Sequence, residues 1–299
     1  MQEPEPDTHI YAGLSQIRYK GEPFDLGNGV IIRSAYAHLF AAPMMAFSRA
    51  APGQPHPPPW RAAQGGFAWD IEVEIAVSLG SKFPGGFDAE QVARLIATLL
   101  RLSRYPYLTI PVISDHSFCN AAIKGREPLL QPVEVEGRIV SAGSLDLEEI
   151  RAEDLRWVRS VWQRTAELLE KNRQLADALE AVDACTVNGR TSSALLLAWG
   201  ALEELFAPGS RSEIRFRVAS NLAAFLEAPG PGRLKLFSEV KELYDARSAA
   251  AHTSRQSDVE SLLKTFVLLR NALLKIIKDS KIPTTNQFNE ALYLGKEFF

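Results

Sequence analysis

The chain has few of the residues that mark metal-binding, redox or secreted proteins. Its only two cysteines, Cys119 and Cys185, are far apart and lack the paired spacing of a zinc site. The first seven residues are acidic and lack the apolar centre of a signal peptide. No stretch approaches the roughly 18 consecutive apolar residues of a membrane span. These absences predict a cytoplasmic protein with no membrane segment and no bound metal.

The chain also lacks an excess of positive charge. It has 33 Lys and Arg against 36 Asp and Glu, a formal net charge of −3. Residues 1–145 carry 12 basic and 14 acidic side chains, and residues 146–299 carry 21 and 22. Neither half therefore has the overall electrostatic signature of a nucleic-acid-binding protein, and any RNA contact requires a local cluster. No glycine-rich phosphate loop follows a strand, so no nucleotide cofactor is predicted.

Residues 1–143 combine strands, loops and one helix. Asp70–Leu79 alternates apolar and polar residues, which predicts a half-buried strand. Shorter strands are predicted at Gly29–Arg33, Leu108–Ser114 and Pro132–Glu136. The proline-rich segment Ala50–Gly66 predicts a long loop, because proline fixes φ and removes a hydrogen-bond donor. This half is predicted to be a mixed α/β domain with a regulatory or sensing role.

One helix is predicted within that first half. Asp88 can cap it, and Val92, Leu95, Ile96 and Leu99 recur at the spacing of one helix face, so the helix should extend to about Leu102.

Residues 144–299 predict an all-α domain. Asp146 and Glu149 have capping-box spacing. Mostly apolar residues then recur every three or four positions, which indicates helix as far as about Cys185. This indicates one long helix over 146–185, or two with a bend around Ala152–Asp154. Further helices form a core bundle over 191–280, and a short one is expected within Asn286–Phe299, ending in exposed phenylalanines. The fold class predicted for the whole chain is α+β.

The candidate chemistry lies in the stretch from Leu243 to His252. Arg247 continues the apolar line of a helix, and His252 is expected in the break before the next helix, which Ser257 and Glu260 can cap. An arginine can bind a phosphate, and a histidine can move a proton near neutral pH. Such a pair suits ribonuclease chemistry, although a structural arginine and a surface histidine would give the same sequence pattern.

The chain contains its own controls for this motif. Arg33 and His38 repeat the spacing of Arg247 and His252, and Arg49 and His56 fit a looser version. Arg33 follows a predicted strand and His56 lies in the proline-rich loop. The helical context, rather than the spacing, therefore distinguishes Arg247 and His252.

Three stretches of the C-terminal half resemble a HEPN domain, and more narrowly the Apea-like HEPN group. They are Ala201–Phe206, Ile214–Phe225 and Leu243–His252. Phe24–Arg33 and Trp69–Leu79 are more loosely similar to the N-terminal region of the same group. The resemblance covers the chain from about Ser192 to Lys278 with some specificity and the first half only loosely.

The resemblance implies a helical homodimer in which two copies of the Arg–His motif face each other. Active members cut RNA without metal, by attack of the ribose 2′-oxygen on the adjacent phosphate, which leaves a cyclic phosphate. Carried over, His252 would move the proton and Arg247 would stabilise the charge on the phosphorane. Ser248 stands where many members have Asn, Asp or His, and serine is a weaker orienting group.

Several neighbouring residues are candidates for supporting roles. Tyr244 is expected to pack in the core and Asp245 to be exposed or to orient Arg247. Of the pair Glu203 and Glu204, one is expected at a buried edge and one at the surface; Glu204 is the candidate for orienting Arg247. Arg255 could meet a phosphate as a substrate-binding residue.

Two other sites are not supported by the sequence. His116 and Cys119 have no second ligand pair, so zinc is not predicted, and Asp115 with His116 lacks a nucleophile.

The sequence is compatible with two functions. One is an endoribonuclease of an anti-phage defence, abortive-infection or toxin-type system, with RNA as substrate and a regulatory or antitoxin-like protein as a possible partner. The other is a catalytically inactive HEPN module for dimerisation or for RNA or nucleotide binding within a defence complex.

Overall fold

A computed structural model of the chain has the predicted α+β fold, with an N-terminal sheet and a C-terminal helical region. The structure describes residues 8–41, 43–64, 66–119, 127–134, 148–187, 189–210, 212–252 and 259–298, with the backbone alone at Ala41, Phe67 and residues 248–252. The strands are β1 His9–Ser15, β2 Ile17–Arg18, β3 Phe24–Gly27, β4 Val30–Ala41, β5 Met44–Ala46, β6 Trp60–Ala62, β7 Phe67–Ser78, β8 Thr109–Ser114, β9 Leu130–Pro132 and β10 Glu148–Glu149. The helices are α1 Ala89–Ser103, α2 Ala152–Lys171, α3 Arg173–Val187, α4 Thr191–Phe206, α5 Ile214–Leu226, α6 Pro231–His252, α7 Val259–Asp279 and α8 Thr285–Tyr293.

The chain divides into a sheet unit and a helical unit. The sheet unit contains Met1–Ser81, Leu108–Val135 and Leu145–Ala152, and the helical unit contains Lys82–Tyr107 and Glu153–Phe299. The division differs from the boundary predicted at 143/144, because α1 clusters with the C-terminal helices. Within the helical unit, Arg101 of α1 pairs with Asp183 of α3 at 2.7 Å, and Arg270 of α7 donates to the carbonyl of Leu102 at 2.6 Å.

The main sheet has six antiparallel strands in the order β3-β4-β7-β1-β8-β9. β7 lies near its centre and is buried on both faces, since Glu74 and Ala76 are buried as well as Val73, Ile75 and Val77. The prediction of a half-buried strand is therefore wrong. Leu79 lies beyond the end of β7 and is 56% exposed.

The proline-rich segment is not entirely irregular. β6 forms within it and pairs with β5, with Met45 opposite Arg61. The prediction of an uninterrupted loop over Ala50–Gly66 missed this strand, because its partner lies before the prolines. The strands predicted at Gly29–Arg33 and Leu108–Ser114 are present, β4 being much longer than predicted. The strand predicted at Pro132–Glu136 is misplaced, because β9 ends at Pro132 and Val133 and Glu134 lie outside it. The part of the last strand prediction beyond residue 134 lies outside the described residues.

The predicted long helix is two helices with a break at Asn172. The Asn172 side-chain amide donates to the carbonyl of Leu168 at 3.0 Å, which competes with the helical backbone pattern. Glu149 belongs to β10, which pairs with β2, so the expected capping box does not start a helix there. Asp146 lies outside the described residues. The helix begins at Ala152, where the sequence had placed a bend.

The remaining helices agree with the sequence pattern. Asp88 caps α1 in a capping box with Gln91, and the predicted apolar face of α1 is buried. Trp199 and Phe206 of α4 and Phe225 of α5 are among the largest fully buried side chains. Ser257, the predicted cap of α7, lies outside the described residues. Phe298 is not an exposed contact residue, because its ring packs on Phe225 and Phe288.

Candidate functional site

The helical unit positions Arg247 through the packing of α6 on α4. Val240 of α6 is fully buried, and one turn further on the ring of Tyr244 meets the buried indole of Trp199 edge-on, with 5.0 Å between centroids. The guanidinium of Arg247 lies over the Tyr244 ring, 5.5 Å from its centroid. Aromatic packing therefore fixes the turn of α6 that carries Arg247.

A single carboxylate holds Tyr244 and Arg247 together. Oε1 of Glu203, on α4, accepts a hydrogen bond from the Tyr244 hydroxyl at 3.0 Å and lies 3.4 Å from Nη2 of Arg247. The Arg247 and Glu203 side chains are 28% and 23% exposed, so the pair is only partly screened by solvent. The guanidinium is thus oriented from one side, and part of it remains accessible.

The electrostatics of this cluster keep Tyr244 protonated. Burial, followed by the hydrogen bond to Glu203, raises the pKa of Tyr244 above its ordinary value of 10.0, against the opposing charge of Arg247. Tyr244 therefore acts at neutral pH as a hydrogen-bond donor that orients Glu203. Nε of Arg247 is buried and has no hydrogen-bond partner within the described part of the chain.

The carboxylate that contacts Arg247 is Glu203 and not Glu204. Glu204 is exposed and accepts a hydrogen bond from Gln174 of α3 at 2.9 Å. Adjacent helix residues point about 100° apart, so only one of the pair can face α6. The expectation that one lies at a buried edge and one at the surface is met, but the choice of Glu204 to orient Arg247 is wrong.

Sequence reasoning missed Arg215 as a neighbour of the motif helix. Its Nη2 lies 2.5 Å from Oδ2 of Asp245, which links the first turn of α5 to α6. Asp245 is exposed, as expected, and its partner is Arg215 rather than Arg247. The available signal was the position of Arg215 in Ile214–Phe225, one of the three stretches on which the predicted resemblance rests.

Helix α6 runs through His252 instead of ending before it. The prediction that His252 lies in a break after the helix is therefore wrong, and the physical reason is the run Ala249–Ala251, since alanine is the best helix former. Positions 247 and 252 are five residues apart on one helix, which separates them by about 140° and about 7.5 Å along the axis. The side chains of Ser248 and His252, and all of Arg255, lie outside the described residues.

The structure gives other contacts to three of the four residues in the decoy pairs, and Arg49 is exposed. Arg33 is bound to the fully buried Glu74 at 2.6 Å, and His38 lies 2.7 Å from the exposed Asp70. His56 contacts the backbone carbonyl of Ser48. The structure thus places Arg33 in a buried ion pair of the sheet unit.

The residues considered for a metal site or a catalytic dyad lie in the sheet unit. Nδ1 of the buried His116 lies 2.7 Å from Asp115, and Cys119 is exposed. Across the described ranges, no group of three or more His, Cys, Asp and Glu side chains is arranged to hold a metal ion.

Comparison with family models, with curated protein sequences and with solved structures finds no match for this chain. Of the helices in the described part of the chain, none combines the length and apolar content needed to cross a membrane.

Proposed function

We propose that this chain is a metal-independent endoribonuclease of the HEPN type. The observation that carries the proposal is the pairing of Glu203 with Arg247 on a motif helix that continues to His252. A guanidinium held from one side by a carboxylate keeps donors for a phosphate on the other. The resemblance of the surrounding stretches to the Apea-like group supports this reading.

The proposed reaction is attack of a ribose 2′-oxygen on the adjacent phosphate. His252 takes the 2′-hydroxyl proton or gives a proton to the leaving 5′-oxygen, as the unperturbed pKa of histidine allows near pH 7. Arg247 stabilises the charge that develops on the phosphorane. The products are a 2′,3′-cyclic phosphate and a 5′-hydroxyl.

A homodimer would complete such a site. Since positions 247 and 252 of one chain differ by about 140° around α6, a site shared between two copies suits them better than one copy alone. Apolar side chains exposed on α6 and α7 support a contact there: Leu234 is 67% exposed, Val259 57% and Val267 47%. A groove of about 520 Å³ between these helices is lined by Leu243, Leu263 and Val267, among others.

The dimer is testable on its own. Val267→Asp places a charge at the centre of this contact and should convert a dimer into a monomer, measured by light scattering after gel filtration. Leu292 of α8, an exposed apolar residue that does not line this groove, offers a matched control as Leu292→Asp. A monomeric wild type would contradict the composite site.

The wider proposal is a cytoplasmic nuclease of an anti-phage or toxin-type system. An active ribonuclease in a cell has to be restrained, so we assign the sheet unit, or a partner protein, the role of sensor or brake.

Cleavage of total RNA in EDTA tests the function. Wild type should produce fragments with cyclic phosphate ends, and His252→Ala and Arg247→Ala should each reduce the rate by at least about 100-fold. His38→Ala, which alters the decoy, should cut at the wild-type rate. A loss of activity in His38→Ala, or equal cleavage by His252→Ala, would contradict the assignment.

A second function follows from the same contacts. Glu203 partly neutralises Arg247, and Ser248 is a weak orienting group, which favours an inactive HEPN dimerisation or binding module. Intact dimers that bind RNA but do not cut it would support this alternative.

A further inference from the structure

In the sheet unit, β4 and β7 continue as a two-stranded ribbon beyond the ends of the strands beside them. β4 and β7 pair with each other as far as Ala41 opposite Phe67, whereas the pairing of β7 with β1 ends at Val73 and that of β4 with β3 at Ile32. The amide of Ala63 donates to the carbonyl of Pro43 at 2.8 Å, and β5 and β6 then continue the ladder. The ribbon is thus the far end of one long hairpin.

Large apolar side chains face solvent on both faces of this ribbon, since neighbours such as Met44 and Met45 alternate along β5. We call them the ribbon patch; their exposed fractions are Tyr36 68%, Phe40 76%, Met44 62%, Met45 55%, Phe47 64% and Trp60 53%. A two-stranded ribbon is marginally stable in water by itself, and contiguous exposed apolar surface marks a binding site. The patch therefore indicates a surface that is covered when the protein acts.

The charges around the patch select its partner. Between Asp25 and Asp70 the chain contains no Asp or Glu, but it contains three arginines. Arg49 and Arg61 are exposed on this segment, while Arg33 is committed to Glu74. Asp70 of β7 stands opposite His38 in the ladder, so one exposed carboxylate lies among the rings, 2.7 Å from Nδ1 of His38. Aromatic rings on a segment that also exposes two arginines suit a polyanion that has π-faces.

The spacing of the rings fits successive bases. Tyr36, His38 and Phe40 alternate along β4 and so share one face, with about 6.6 Å between alternate residues. The His38 and Phe40 rings are already 5.9 Å apart. Sheets that present two or three such rings stack unpaired bases in known RNA-binding modules. A duplex hides these base faces, so the ligand is a single strand.

We propose that the ribbon patch binds single-stranded nucleic acid, with bases stacked on Tyr36, Phe40 and Trp60 and phosphates on Arg49 and Arg61. A second copy of the chain is the competing occupant. An isologous contact would bring Arg49 and Arg61 of both copies together with the two Asp70 carboxylates, and this excess of like charge disfavours it. The inference concerns the sheet unit and does not depend on the helical unit being a nuclease.

Fluorescence anisotropy with labelled 2′-O-methyl RNA and DNA oligonucleotides tests the proposal. The RNA probe lacks a free 2′-hydroxyl and cannot be cut by the proposed reaction. Wild type should bind single strands and not the corresponding duplex. The double variant Tyr36→Ser, Phe40→Ser should weaken binding by at least about 25-fold, since each stacked base contributes at least about fivefold. Comparison of the two probes shows whether RNA or DNA is preferred.

Controls separate the patch from general surface effects. Tyr293→Ser, Leu294→Ser removes exposed apolar groups of the helical unit, 80% and 67% exposed, and should leave binding unchanged. Arg49→Gln and Arg61→Gln should each reduce the slope of log affinity against log salt by about 0.7. Exposed Arg159, as Arg159→Gln, should not change that slope.

Three outcomes would overturn the proposal. In the first, neither single strand binds to the wild type. In the second, Tyr36→Ser, Phe40→Ser binds as tightly as the wild type. In the third, no nucleic acid binds and the wild type forms an oligomer that this variant dissociates. The last outcome would make the ribbon patch an interface between copies. RNA cleavage by wild type without binding of the DNA probe would contradict this proposal alone, and probe binding without RNA cleavage would contradict the nuclease alone, so the two failures give different results.

Discussion

The Glu203 carboxylate lies 3.4 Å from Nη2 of Arg247 and joins α4 to the helix that carries the Arg–His motif. The same oxygen accepts the Tyr244 hydroxyl, so one acceptor organises two side chains one turn apart. This contact defines the orientation of the candidate catalytic arginine.

Glu203→Gln should lower the rate of RNA cleavage by about tenfold, because the amide keeps the shape of the acceptor but loses the charge that orients Arg247. KM and kcat measured on a short RNA check this, and kcat should carry most of the loss. Glu204→Gln, whose side chain faces Gln174, is the matched control and should retain wild-type kinetics. Equal effects of the two changes would mean that Glu203 does not act through Arg247.

Arg33→Ala should destabilise the protein by about 3 kcal/mol without affecting cleavage, because it leaves the Glu74 carboxylate buried without its cation. The Ser117 hydroxyl and the Phe118 amide still donate to Glu74. The loss of stability should therefore lie at the lower end of the range for breaking a buried ion pair. Urea unfolding gives the free energy. His38→Ala removes an exposed pair and should cost less than about 1 kcal/mol. A stable Arg33→Ala protein would refute the structural role of Arg33.

Asp183→Ala should destabilise the helical unit by about 3–5 kcal/mol, because Arg101 is 4% exposed and would lose its 2.7 Å partner. Asp177→Ala, on the same helix, removes an exposed pair with Arg173 at 3.6 Å and should cost less than about 0.5 kcal/mol. Thermal and urea unfolding measure both. Similar small effects would show that α1 is not an integral part of the helical unit.

The two cysteines should differ sharply in reactivity. Burial raises the pKa of the Cys185 thiol to about 12, and its Sγ donates to the carbonyl of Ala194, whereas Cys119 is exposed. A thiol reagent at pH 8 should therefore modify one site per native chain and both after unfolding, since the thiolate is the reactive form. Peptide mapping should assign the native site to Cys119. Modification of native Cys185 would contradict its burial.

The buried thiol of Cys185 should make the fold less stable at alkaline pH. The pKa of Cys185 is raised in the fold from an ordinary value of 9.0, so its contribution is complete below pH 9 and is lost as the pH rises towards 12. Between pH 8 and 10.5 the loss should be about 2 kcal/mol from this group. Urea unfolding at both pH values measures it. Cys185→Ala should show a smaller drop, and an equal drop would assign the effect elsewhere.

Local signals in the sequence were enough to predict most helices. The cap at Asp88 and the apolar face of the helix that it starts act within one or two turns, so they can be recognised without the fold. The α+β class follows from the same local patterns. The break at Asn172 was missed because the helical spacing continues across this residue, and the bond from its side chain to the Leu168 carbonyl is seen only in the fold.

The candidate site depends on long-range packing. The sequence by itself determined that Arg247 lies on a helix in an all-α region, because helical periodicity is a local property. Only the tertiary structure decided that Glu203 faces it, that Arg33 belongs to Glu74, and that the ribbon patch is left uncovered. Each of these depends on which faces of distant elements meet, and that is decided by packing of the whole unit rather than by neighbours in the chain.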